Sequence, residues 1–355
     1  MNISIVKLPM KGLKEKITGL KKIDSTLYIM TEKTILFNEQ SGKINVLEIP
    51  SGVFGKKPVW STFFVTERYL LIGAKEGFWV LEREALTVVY HISGTAREVE
   101  YKKSMIVDKF LVAVFYSNDE LMIEIHDLVS KQKVVDYLAG DYPAFMISNN
   151  NHIIKNSTSD YNDIESLALL TGEVKWKVDF SDLGAWDFNQ FDKGKGMVES
   201  PPVFFGDYYL VVQVKMNYLV CIDTRDGKII WKCEIKIRNS QCFNIILEEV
   251  IYVVSERTFY KIRKTNGDII FSHDYDSKEA AEHDFNGPKS IGILVGGKIL
   301  AACGSGIFQI DIETGQYLKV YQHDEGFHKD FDPILIDNKL FLVDVNDRLL
   351  VLNVD

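Results

Sequence analysis

Four of the seven histidines fall in two stretches that read as loops: His273 and His283 within 272–290, His323 and His328 within 322–333. They are interleaved with Asp274, Asp276, Asp284, Asp324, Glu325, Asp330 and Asp332. Imidazole nitrogens and carboxylate oxygens are the donors a divalent cation takes. His283, His323 and His328 are therefore the candidate metal ligands, with Asp330 or Asp284 as the base of a metal-dependent or small-molecule-acting enzyme. The spacing matches no compact metal motif, and the plainer reading is a solvated acidic rim. The other familiar chemistries have no counterpart in the sequence: there is no Gly-x-Ser-x-Gly, no P-loop and no HExxH. Gly194-Lys195-Gly196 lacks the strand, turn and helix context of a phosphate cradle. No catalytic residue is assigned, and no cofactor other than that cation.

The elements that must position these loops come from a repeat. Cys221-Ile-Asp-Thr-Arg-Asp-Gly-Lys-Ile-Ile-Trp231 is its clearest copy, and weaker copies lie at 166–176, 262–271 and 310–318. Each reads as strand, tight glycine turn, strand, because Gly supplies the positive φ of a hairpin turn and the flanks are rich in Val, Ile, Tyr and Phe. A strand-only unit returning at roughly 44 residues predicts a β-propeller. Trp176, Trp231 and Phe271 stand four residues after their glycines, the place for a ring that docks on the neighbouring blade.

Turns between third and fourth strands are expected near Gly42, Ala85, Lys131, Gly172, Gly227, Gly267 and Gly315, the second and third having lost the glycine. Pro58, Pro143, Pro202, Pro288 and Pro333 fall where the first strands begin, a position where no ladder N–H is lost. After Gly315 the chain supplies strands at 333–336, 339–345 and 348–354, one short of a blade. An N-terminal strand at 2–8 would complete it and leave no open edge. The expectation is an all-β fold, one propeller domain over 1–355 with eight four-stranded blades, or seven if one weak repeat is false.

The pattern at 221–231 resembles the tryptophan-docking repeat of the pyrroloquinoline-quinone-type propellers, the superfamily of the quinoprotein alcohol dehydrogenases. The resemblance is specific over 160–320. It implies structural roles for Asp223, Gly227 and Trp231, and more weakly for Gly172, Trp176, Gly267, Asp311 and Gly315. The dehydrogenases' adjacent-cysteine pair is missing, since this chain has no Cys-Cys, so their quinone chemistry is not expected.

Composition narrows the partners. Net charge is −9 with 46% hydrophobic residues, which argues against nucleic acid because phosphate contacts need clustered Lys and Arg. No export signal or membrane-length apolar run is visible, and four cysteines without a CxxC suit a reducing compartment. A cytoplasmic monomer is expected, with no membrane association. Cys221 and Cys233 should face each other across the Gly227 hairpin, as buried thiols or as a cross-strand disulfide.

Function then rests on the longest loops, 179–200, 272–290 and 322–333, all joining one blade to the next and so sharing one face. Asp187-Phe188, Asp284-Phe285 and Asp330-Phe331 recur there, read as a repeat-borne turn whose ring tucks between blades. Trp186, Phe188, Phe191, Tyr275, Phe285, Phe327 and Phe331 give the face an aromatic content suited to an interface. The expected activity is non-enzymatic: a platform for a basic protein, of neutralising or immunity type. Trp186 and Phe327 would be anchors, and Asp187, Asp284 and Asp330 charge contacts.

Overall fold

The computed structural model describes the chain between residues 3 and 354 apart from 6–16, 24–25, 32–33, 39–43, 49–61, 75–76, 86, 94–97, 100–102, 118–119, 141–142, 144, 150–151, 158–160, 184–185, 190–191, 195, 199–200, 215–217, 236–242, 256, 277, 279–284, 286–291 and 329–330. Two compact units are present, Glu15–Asp179 and Met1–Lys14 with Phe180–Asp355.

In the unit Glu15–Asp179 four antiparallel meanders follow one another. Sheet one is Ile17–Ile23, Thr26–Thr31, Thr34–Asn38 and Ile44–Glu48; sheet two is Thr62–Val65, Tyr69–Ala74, Gly77–Glu82 and Val88–Ser93. In sheet three, Glu98–Val99 and Met105–Val107 both pair with Phe110–Ser117, which continues to Glu120–Asp127 and Gln132–Leu138. Sheet four is Met146–Asn149, His152–Lys155, Asp163–Ala168 and Val174–Asp179.

The second unit repeats the plan. Sheet five is Val203–Phe205, Tyr209–Val214, Tyr218–Asp223 and Ile229–Glu234; sheet six is Phe243–Leu247, Val250–Ser255, Thr258–Arg263 and Ile269–Asp274; sheet seven is Ile293–Val295, Lys298–Cys303, Gly306–Asp311 and Tyr317–Gln322. Sheet eight is Ile334–Ile336, Lys339–Val343 and Leu349–Val354, and its fourth strand is Ile3–Ile5, paired in the register Ile3↔Val354, Ser4↔Asn353, Ile5↔Leu352. Pro202 and Pro333 immediately precede the first strands of sheets five and eight, outside the ladder.

Burial follows strand position. Second and third strands such as Tyr209–Val214 and Tyr218–Asp223 are buried along almost their whole length, whereas the fourth strand Ile229–Glu234 alternates from Trp231 onward. Middle strands are covered on both faces, so they read as continuous apolar runs. The core clusters form between consecutive sheets: Tyr69, Phe78 and Val80 pack with Ile106, Leu111 and Phe115; Leu219, Cys221 and Trp231 pack with Ile251, Val253 and Ile262.

The turn between third and fourth strands carries the repeat's two signals. Asp223 accepts the Arg225 amide at 2.9 Å, Asp311 those of Glu313 and Thr314 at 3.0 and 2.9 Å, and Asp127 those of Val129 and Ser130 at 2.8 and 2.9 Å. Gly172, Gly227, Gly267 and Gly315 have φ near +70°, and Lys131 takes the same left-handed conformation at 58° without being glycine. Six of these hairpins share a register shift, one to two residues before the turn aspartate or its equivalent in five of them, as between Cys221 and Ile222, and three to four before Asp311 in sheet seven. The turn is centred between Arg225 and Asp226, ahead of Gly227, which sets Cys221 opposite Trp231 and Cys233 opposite Leu219. The two cysteines are thus not a facing pair, and both are free and buried. Burial pushes the Cys221 thiol up to about 12 and the Cys233 thiol to about 11.

Ring docking links sheet to sheet. Trp231 lies flat on the turn of sheet six: its Nε1 donates to the Lys264 carbonyl at 3.0 Å, and a Cβ on Gly267 would stand 2.6 Å from the ring. Sheet three reaches the same end with a different residue. Val135 occupies the ring position, and Tyr137, two residues on, lies against Gly172 and donates from Oη to the Leu169 carbonyl at 3.2 Å. Leu169 precedes Gly172 by the same interval as Lys264 precedes Gly267.

Candidate functional site

Of the three long loops, 322–333 is described most fully, and it lies against sheet eight. Asp344, buried at the end of its second strand, accepts the amides of Asn346 and Arg348 at 2.8 and 3.0 Å and the Arg348 Nε at 2.7 Å. That carboxylate holds the exposed Arg348 guanidinium above its ordinary range. The loop from sheet seven lies across this turn. His323 and Phe327 donate their amides to the Ser305 and Gly304 carbonyls at 2.8 and 3.4 Å, and His328 donates to Val343 at 2.8 Å. Glu325 pairs with Arg348 and accepts the Asn346 side-chain amide. The chain can lie this close because Gly326, at φ 89°, has no side chain; a Cβ there would meet the Gly304 carbonyl at 3.2 Å.

Both described histidines of the candidate metal set face this turn. His323 accepts the Glu325 amide on Nδ1 at 3.1 Å, which leaves Nε2 as the protonated nitrogen of the neutral ring, 4.0 Å from Asp344 Oδ2. His328 Nε2 stands 3.6 Å from Asp347 Oδ1. Each histidine thus has its own carboxylate, and among the described residues no three His, Cys, Asp or Glu side chains are grouped to hold a metal ion. His283, Asp284 and Asp330 lie outside the described residues.

The aromatic face is largely an interior. Phe327, read from the sequence as an exposed anchor, is 6% exposed and packs with Leu300, Ala302, Leu340 and Leu342 between sheets seven and eight. Tyr275 and Phe285 are equally buried. Phe285 stacks on Tyr317 at 4.5 Å between ring centres and meets Tyr275 edge-on at 5.1 Å. A ring after Asp284 therefore fills the seam between sheets. Phe331 is half-buried, edge-on to His328 at 4.9 Å.

Asp187-Phe188 departs from the repeat-borne turn. Trp186–Asn189 and Asp192–Gly194 form a separate two-stranded hairpin in the connection between sheets four and five, with Trp186 opposite Gly194 and Asp187 opposite Lys193. The candidate contacts Trp186 and Asp187 are thus strand residues of an inserted element.

One polar group was not singled out by motif reading. Tyr90 Oη lies 2.9 Å from His126 Nδ1, and His126 Nε2 lies 3.1 Å from Glu124 Oε2. His126 and Glu124 are each 5% exposed. Burial, reinforced by Glu124, raises the Tyr90 phenol above its ordinary value, the opposite of what a nucleophile needs. Tyr90 stands at the docking-ring position of sheet two, opposite Val80 as Trp231 is opposite Cys221. The signal available in sequence was Glu124-x-His126, one face of a strand, beside a turn with lysine in place of glycine.

No curated relative matches the chain by sequence. Among solved structures, BamB from Moraxella catarrhalis is similar at TM-score 0.65 and 12% identity, covering 99% of each chain. Saccharomyces cerevisiae Sqt1 is similar at TM-score 0.63 and 9% identity, over 100% of this chain and 98% of that one. A europium-containing methanol dehydrogenase gives 0.56 and 9%, over 98% and 84%. At these identities the likeness is one of fold. A family model for outer membrane protein assembly factor BamB matches residues 161–354, the stretch that carries the clearest turn glycines and docking rings. On that match and the sheets beneath it, this chain belongs to the BamB family of pyrroloquinoline-quinone-type β-propellers.

Proposed function

We propose that this protein is a non-enzymatic eight-bladed propeller that serves as a binding platform for a basic protein. The working face is that of loops 179–200, 272–290 and 322–333. Family membership carries the reading, since the family is described as an assembly factor and such a task is one of holding partners. Eight successive sheets, with Ile3–Ile5 supplying the last strand of sheet eight, support the blade count and a ring closed by the N-terminal strand. The chain's net charge of −9 supports a cationic partner. With Phe327 in the core, Asp187, Asp284 and Asp330 remain as charge contacts and Trp186 as the anchor. A neutralising or immunity-type role in the cytoplasm, as a monomer, belongs to the same proposal; cell fractionation and light scattering test its location and state.

The test of the face is affinity capture across a salt series, comparing wild type with the triple variant Asp187→Lys, Asp284→Lys, Asp330→Lys. Loss of the partner from the variant, and its release from wild type as salt rises, are expected. Recovery of the same partner by the triple variant would overturn the assignment of the face.

A further inference from the structure

We propose that Tyr161 is a contact residue for the partner, its backbone held so that the ring face receives a lysine or arginine side chain. This rests on the platform reading above and names one contact within it.

A backbone conformation carries the inference. Among the described residues six that are not glycine have positive φ: Asp108, Lys131, Tyr161, Asp337, Asn338 and Asp347. Asp and Asn enter this region readily, and Lys131 stands where other copies of the turn carry glycine. Tyr161, at φ 55°, has neither reason. A bulky side chain in the left-handed region costs free energy, and the conformation persists only where its surroundings over-determine it.

Sheet four supplies that constraint at both ends of the connection between its second and third strands. Asn156 donates from Nδ2 to the Asp163 carbonyl at 3.0 Å. Ser157 gives the Asp163 carboxylate its amide at 2.8 Å and its hydroxyl at 2.6 Å. Lys177 Nζ reaches the same carboxylate at 2.8 Å. Behind them Lys155 Nζ donates to Glu165 at 2.7 Å and to the Asn156 carbonyl at 2.9 Å. Lys155, Asn156 and Asp163 are at most 2% exposed. Sheets five, six and seven place Val212, Val253 and Ala301 where Lys155 stands, and Val220, Tyr260 and Phe308 where Glu165 stands. An apolar pair is often at least as stabilising as a buried ion pair. What the polar set adds is a tie between the two ends of one connection.

That connection lies at the working end of its sheet. Asp163 pairs with Asp179, the residue from which loop 179–200 departs. Tyr161, two residues before Asp163, therefore stands beside the root of a platform loop, and it is half-buried. A tyrosine already fixed in place loses little entropy on contact, and its ring face attracts a cation. A basic partner supplies that cation.

Full-length protein carrying 3-fluorotyrosine at position 161 alone tests this, titrated with a ten-residue Gly-Arg peptide and with the same peptide bearing citrulline for arginine. The arginine peptide should bind at least tenfold tighter and move the fluorine resonance. Tyr161→Gly should lose at least tenfold in affinity for the arginine peptide. It should melt at or above wild type, because glycine takes the left-handed conformation freely. Tyr161→Phe should keep the affinity. Equal affinity for the two peptides, no binding of the arginine peptide, an unmoved fluorine resonance, or unchanged affinity in Tyr161→Gly overturns the assignment. A lower melting temperature for Tyr161→Gly also overturns it, because the ring would then serve the fold. If Tyr161→Gly captures the basic partner as wild type does while the charge-reversed triple variant does not, this contact is wrong and the platform reading stands. Capture by the triple variant sinks the platform reading itself.

Discussion

Sheets two and five meet their successors at the same repeat position with opposite chemistry. Trp231 of sheet five lays an apolar ring on Gly267 and satisfies its single donor at the Lys264 carbonyl. Tyr90 of sheet two turns its hydroxyl into a chain of His126 and Glu124. The next turn decides which is built. Where it offers a glycine, a flat ring can touch backbone. Where it offers Lys131, a side chain starts at that point, and the ring's polar end must be met elsewhere. In sheets two and five the docking residue holds the same repeat position, and its type goes with the neighbour's turn.

The largest effect expected from breaking this contrast is at the apolar dock. Trp231→Ala should cost about 3–5 kcal/mol in urea or thermal unfolding, the range for emptying a packed aromatic site. A near-neutral result would mean the ring is not what joins sheets five and six. His126→Leu should cost roughly 1–3 kcal/mol, because it removes the imidazole hydrogen bond to the buried Glu124 carboxylate, while Lys133 stays 3.9 Å away. Adding Glu124→Leu should return most of that loss, and a double-mutant cycle measures the recovery. If the two losses simply add, the polar chain is not a coupled unit. Gly267→Ala should cost about 2 kcal/mol from its left-handed φ and the ring at 2.6 Å. The reciprocal change Lys131→Gly should gain up to about 1 kcal/mol, and with Tyr90→Trp it should rebuild the apolar dock, seen as a blue-shifted tryptophan emission.

A smaller effect separates the two regions by pH. The Ser130 amide, with Lys109 and the Val129 amide, pulls the Asp127 carboxyl down to about 2. Because the folded pKa lies below the ordinary value near 3.9, the stabilisation is present above about pH 4 and is lost as pH falls towards 2. The melting temperature of Asp127→Asn should therefore trail wild type at pH 7, and the gap should close by pH 2. The smallest change expected is a gain. Gln213 is 5% exposed and its Nε2 has no hydrogen-bond partner among the described residues. Val254, Ala302 and Val343 hold the equivalent strand position in sheets six, seven and eight. Gln213→Met should stabilise by about 1 kcal/mol. A loss instead would show that this amide serves a bound group.

Strands and turns were legible because they rest on local rules: glycine at positive φ, proline ahead of a first strand, apolar runs where a sheet is covered on both faces. The expected pairing of the N-terminal strand with the last sheet followed from counting strands, and Ile3–Ile5 is found there. What was not legible depends on register and on neighbours. The hairpin turns between Arg225 and Asp226, ahead of its glycine, which leaves no compositional mark, and so Cys221 and Cys233 are not opposed. Tyr137 could not be read as a docking ring because it stands two residues beyond the usual place. Phe327 and Tyr275 looked like surface residues because their loops are long and acidic, whereas the Asp284-Phe285 turn reads as tucking its ring between blades, and Phe285 is buried there. A loop between face-packed sheets sends its rings inward, and the charged residues beside them conceal this.

The register Ile3↔Val354 joins in one ladder two strands separated by all the other sheets along the sequence. During synthesis the strand Ile3–Ile5 leaves the ribosome long before its neighbour Leu349–Val354 is made. Sheets one to seven are each built from consecutive strands and can form in the order they emerge. Sheet eight alone must wait, and joining strands so distant along the chain is a slow class of folding step. Until then the last sheet exposes an open edge to any chaperone or neighbouring chain. Circular permutation that opens the chain between Val295 and Lys298, at Gly296–Gly297, and joins the present ends would turn this long-range pairing into a local hairpin, and with it change which sheet is finished last.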